Sequence, residues 1–191
     1  QCNNINIKYA KIITFDIYRK KHMCYSLYIG ENGCDRRLQM KKIKVGIPRA
    51  LLYYRYGVLW KNFFENLNCN VVLSPETNRE ILELGINNTI DESCLSYKIY
   101  VGHVMYLSKI CDYILISRVC DYGKKDKVCT RLNGTYDDIK HKISPSQILD
   151  YDIEYTKFKF PLFGYIKMGL KVSKNIIKII YSYYRAKIKQ H

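Results

Sequence analysis

From residue 43 onward the apolar positions switch repeatedly between a short continuous run and a helical period. IKVGI (43–47) is an apolar run closed by Pro48, the pattern of a buried strand. LYYRYGVLWKNFFENL (52–67) then repeats apolar residues at helical spacing, with Leu59, Phe63, Phe64 and Leu67 on one side. NVVLS (70–74) predicts a second strand stopped by Pro75, and Thr77 stands where an N-cap is expected for a short helix ending at Gly85. A third helix is predicted from Cys94 to Ser108, followed by the strand DYILIS (112–117). Strands alternating with helices imply an α/β fold, a Rossmann-like domain with a mostly parallel sheet.

Outside that alternation the chain changes character twice. Residues 1–39 show no sustained period and lead into Met40, so the expected organisation is an N-terminal extension (1–39), a Rossmann-like domain (40–150) and a basic helical C-terminal segment (151–191). After residue 120 regularity is lost in CDYGKKDKVCTRLNG, read as a polar loop at the carboxyl end of the third strand, the edge where open α/β sheets bind ligands. In the tail, Ile166, Leu170, Ile177, Ile180, Tyr184 and Ile188 share one side of a predicted basic amphipathic helix, and residues 155–191 contain no acid.

Charge adds a class of partner to this picture. The 191 residues carry 32 Lys+Arg against 17 Asp+Glu, a net +15, which favours anionic partners. The richness in Lys, Ile, Asn and Tyr is also what an AT-rich genome produces, and accounts for part of that charge. No apolar run of membrane-spanning length and no secretory leader is seen, so a cytoplasmic protein with reduced thiols is expected.

Eight cysteines, at 2, 24, 34, 69, 94, 111, 120 and 129, then become the candidate chemistry. None forms C-x-x-C, which removes the usual zinc ribbon and thioredoxin motifs. Cys94 opens a helix, and Cys120 and Cys129 flank the loop after the third strand, so the fold can gather all three at one cleft. A helix N-terminus stabilises anionic sulfur. Three thiolates would leave one iron of a 4Fe-4S cube open to a substrate oxygen. Cys69 and Cys111 read as small core residues, and His103, two and a half turns beyond Cys94, as a structural histidine.

KVGIPRALLYYRYGVLWKNFFENLNCNVVLSPETNREILELGI, with DESCLSYKIYVGHV, DYILISR and KVCTRLNG, resembles the acyl-CoA dehydratase activase-related proteins, relatives of the 2-hydroxyacyl-CoA dehydratase subunits. The resemblance runs from about residue 42 to 141 and more loosely through the tail. It implies an oxygen-sensitive iron–sulfur protein of low-potential electron transfer, a component of an acyl-CoA dehydratase or reductase system with no activity of its own assigned. Family cysteines carry over to Cys94 and Cys129, although Thr130 stands where the family has Pro. Cys120 rests on proximity alone. Relatives continue into a further Rossmann-like half, so a complete cluster calls for a second chain, a homodimer or a C-terminal portion beyond His191. Implied partners are an ATP-dependent activator protein, a second family subunit and acyl-CoA.

Two cations complete the expected site: Arg49, just past the first strand, and Lys98, one turn from Cys94, both as anion-binding groups. The competing reading is a cluster-free interaction protein whose basic surface binds an acidic protein or nucleic acid, nucleic acid being the lesser expectation.

Overall fold

Four apolar runs pair as strands: β1 (Lys44–Ile47), β2 (Asn70–Leu73), β3 (Tyr113–Asp121) and β4 (Ile148–Glu154). In the computed structural model the described residues are 42–121, 129–154 and 162–190, with backbone alone for 119–121 and 153–154. The expected extension, 1–39, lies outside them. The strands form one parallel sheet in the order β2-β1-β3-β4. Chain direction across the sheet reverses between β1 and β3, so a crevice opens at their carboxyl ends.

Helices cover both faces, as a buried parallel sheet requires. Along β3 the side chains alternate: Ile114 and Ile116 join the cluster built on α3 (Leu95–Ser108), whereas Leu115 joins the cluster built on α1 (Tyr53–Asn66). The second cluster also takes in α6 (Leu162–Val172) and α7 (Ile176–Gln190) and is strongly aromatic. There the ring of Tyr165 lies 5.0 Å from Phe63, 4.9 Å from Tyr151 and 4.8 Å from Tyr183. Helix α1 ends in a Schellman motif: Asn68 takes φ 66°, its N–H donates to Glu65 O, and Cys69 N–H donates to Phe64 O.

Several expectations need correction. The N-cap of α2 (Arg79–Asn87) is Asn78, whose side chain accepts from Ile81 N, and Thr77 instead faces His103. The region after residue 120 is more regular than its composition suggests. Cys129 leads into α4 (Thr130–Asn133) and α5 (Thr135–Ile139), and a 3-10 turn at Pro145–Gln147 leads into β4. Strand β4 straddles the expected junction at 150/151. Its acids obscured it in the sequence, and the fold satisfies them: Arg118 pairs with Asp152 across the β3–β4 ladder, while Lys167 and Lys171 of α6 both pair with Asp150. Burial pulls the Asp150 carboxyl up, but the two ammonium groups outweigh it and hold it below the usual carboxylate range.

The tail forms two helices, α6 and α7, interrupted at Ser173–Asn175. The face of α7 turned to the core is Ile179, Ser182, Tyr183 and Ala186. Of the expected apolar face, Ile177 is 80% and Ile188 76% exposed, and Tyr184 is exposed with them. Helix α7 packs on α1, with Lys189 Nζ donating to Asn62 Oδ1 at 3.2 Å and Lys178 Nζ to Leu67 O at 3.4 Å.

Candidate functional site

The carboxyl edge of the sheet is overhung by a helical hairpin. In α3, Leu107 packs on Gly46 in the middle of β1, while the N–H of Asp112, just past the helix, donates to Lys44 O at the strand's start. His103, one turn nearer the N-terminus, meets Thr77 in the loop after β2. The first two turns of α3 therefore project beyond the sheet, with Cys94 near their tip. Helix α2 runs antiparallel beside them at unusually short range. A Cβ on Gly85 would stand 2.0 Å from Lys98 O, and one on Gly102 2.0 Å from Ile81 O, so only glycine lets the two backbones touch.

Cys94 is the N-cap of α3 in extended backbone (φ −64°, ψ 151°); it is exposed, and its side chain makes no capping hydrogen bond. Tyr97 N–H donates to Cys94 O at 3.1 Å, and the amides of Leu95 and Ser96 have no acceptor among the described residues. Cys129 is likewise exposed and stands as the N-cap of α4, again without a side-chain cap. Ser93, the neighbour of Cys94, and Arg131, two residues past Cys129, line one pocket of about 310 Å³. Neither cysteine itself lines that pocket. The third expected ligand, Cys120, is placed in β3 by its backbone, and its side chain lies outside the described residues. Among the described residues no group of three or more His, Cys, Asp or Glu is arranged to hold a metal ion.

The remaining cysteines are a different population. Cys69 and Cys111 are buried, and burial pushes each thiol up to about 11, so both stay protonated at neutral pH. Cys111 packs beside Gly46 under α3.

The two expected anion-binding cations already have protein partners. Arg49 pairs with the exposed Glu76 at 3.3 Å, and its backbone N–H donates to the buried Ser74 Oγ at 2.8 Å. Lys98 Nζ donates to Asp91 O at 3.0 Å, tying α3 to the turn that precedes it. Neither residue lines the pocket.

Residues that the sequence reading passed over do so: Ser93, Arg131, Asp138 and Lys142, with Asn87, Asn88, Thr89 and Ile90. Asp138 accepts from Tyr97 Oη at 2.6 Å on one oxygen and from Lys142 on the other. Burial draws its carboxyl up, but Lys142 and Tyr97, with the charge of Arg131 farther off, hold it below the usual range. Burial and this carboxylate push the Tyr97 hydroxyl well above its ordinary value, so it serves as a donor. The only sequence signal for this cluster was its nearness to the two exposed cysteines.

A family model described as the CoA enzyme activase uncharacterised domain (DUF2229) matches residues 44–190. The searches of curated proteins and of solved structures each gave no match.

Proposed function

Because the chain belongs to the family of the CoA enzyme activase uncharacterised domain, we propose that it works in a CoA-enzyme activase system as an iron–sulfur component of low-potential electron transfer. Family membership links the protein to CoA-enzyme activase-related proteins. The observation that carries the finer reading is the exposure of two cysteines, Cys94 and Cys129, each at a helix start with no side-chain cap and each within two residues in the chain of one that lines the pocket. Open first-turn amides at Cys94 suit an anionic sulfur centre.

Among the described side chains two thiols are exposed, fewer than the four cysteine ligands usual for a 4Fe-4S cluster. Cys94 and Cys129 would hold part of it, with Cys120 or a second subunit supplying the remainder. When bound, such a cluster supplies one-electron chemistry at low potential. The chain's own contribution is to keep two thiols accessible while its other described thiols stay buried and protonated. An ATP-dependent activator and acyl-CoA are the partners this reading proposes.

Purification without oxygen tests it: iron and acid-labile sulfide should accompany the chain and be lost in Cys94→Ala and Cys129→Ala, with circular dichroism unchanged. Cys111→Ser should keep them. Iron-free protein after anaerobic reconstitution, or full iron in both alanine variants, would sink the proposal. A second reading, cluster-free docking on an anionic partner, is favoured by the exposed row Ile177, Tyr181, Tyr184 and Ile188 on α7, flanked by Lys174, Arg185 and Lys189. Iron-free protein whose partner binding weakens steeply with salt would support it instead.

A further inference from the structure

We propose that the pocket between the α2–α3 turn and α4–α5 binds a phosphate-class oxyanion, either free phosphate or a small phosphate monoester. Two cations, Arg131 and Lys142, line it against one carboxylate, Asp138. Both oxygens of that carboxylate already accept hydrogen bonds, from Tyr97 and Lys142, which leaves little for a metal cation to bind. Arg131 is half-buried; its carbonyl accepts from Thr135 Oγ1 at 2.9 Å, but its guanidinium makes no hydrogen bond or ion pair among the described residues, so its donor fork is available. A guanidinium in this state suits the paired oxygens of a phosphate.

The wall opposite the charge points the same way. Ser93 is 7% exposed, and its hydroxyl has no hydrogen-bond partner among the described residues although the residue lines the pocket. A guest oxygen would satisfy that donor. Thr89 has spent its hydroxyl donor on Gly85 O at 2.7 Å, and Asn88 one of its two amide N–H donors on Leu84 O at 2.8 Å. Asn87, at the rim, has made no such commitment among the described residues. Free donors thus come from Arg131, Ser93 and Asn87. The volume of about 310 Å³ sits at the lower bound of small-molecule pockets, which limits the guest to a phosphate with a small substituent. The site uses neither Cys94 nor Cys129 as a ligand, so loss of the cluster leaves it testable although both readings draw on the same pocket.

The test is calorimetric titration of the full chain, exposed to air so that no cluster contributes, in about 0.15 M chloride to screen the basic surface. One arm uses inorganic phosphate and the other glycerol 3-phosphate; saturable binding in the ester arm alone identifies a monoester site, and binding of inorganic phosphate identifies a free-phosphate site. Arg131→Met should weaken binding about tenfold or more, the loss expected for a charge-assisted hydrogen bond. Ser93→Ala should weaken it by a smaller factor, and the remote pair Lys187→Gln/Lys189→Gln should leave it unchanged. No saturable binding in either arm, wild-type affinity in Arg131→Met, or equal weakening by the remote pair overturns the proposal. Should Arg131→Met fail to fold by circular dichroism, Ser93→Ala decides alone: wild-type affinity there overturns it.

Discussion

At the scale of single residues, burial decides which groups are chemically available. His103 is fully buried, with Nε2 3.1 Å from Thr77 Oγ1 and Nδ1 without a partner among the described residues. Burial first, and the nearby charge of Arg49 second, lower its pKa to about 4. An unfolded histidine titrates near 6.5, roughly, so between that pH and about 4 the unfolded chain takes up a proton that the folded chain refuses. Stability should therefore fall as pH falls through this window, by up to about 3 kcal/mol, and this contribution should level off below it. Thermal melts of wild type and His103→Gln across that range check the assignment: the variant should lose much of the slope, and parallel curves would refute it. The structural role of His103 was legible because its spacing put it off the face of Cys94. The roles of Ser93 and Arg131 were not, because neither residue type signals a pocket until chain segments some 40 residues apart are brought together.

Among elements, the α2–α3 hairpin depends on two glycines more than on its apolar stripe. Gly102→Ala would drive a methyl group into the Ile81 carbonyl, and backbone cannot swing aside as a side chain can. The helices must separate, at a cost of about 3 kcal/mol or more. Chemical denaturation should register that loss, and a variant as stable as wild type would mean the hairpin is looser than its geometry implies. The three leading strands and α1 followed from apolar spacing. Strand β4 did not, because its inward side chains alternate with Asp150 and Asp152, whose countercharges come from α6 and β3 and are invisible locally. The orientation of α7 was misread for a related reason. Ile177, Tyr184 and Ile188 make the more apolar face, but the surface of α1 selects the row holding Ile179, Tyr183 and Ala186, where small and aromatic side chains fit against Trp60 and Phe63.

For the whole molecule, the three-layer arrangement leaves α7 with its apolar row turned directly away from the domain. Because those side chains are exposed, Ile177→Ser/Ile188→Ser should change stability by no more than about 0.5 kcal/mol. Its effect should appear in association: light scattering at high salt, where the flanking cations are screened, should show less self-association in the double variant than in wild type. Equal scattering would mean that the row is not adhesive. The packing of α7 on α1 also fixes an order of events. Gln190 donates to Arg55 O and Lys189 to Asn62, so the penultimate stretch of the described chain closes over its first helix. During synthesis the Trp60–Phe63 surface therefore stays bare until α7 has left the ribosome, and a chaperone that shields aromatic surface would have its longest opportunity there.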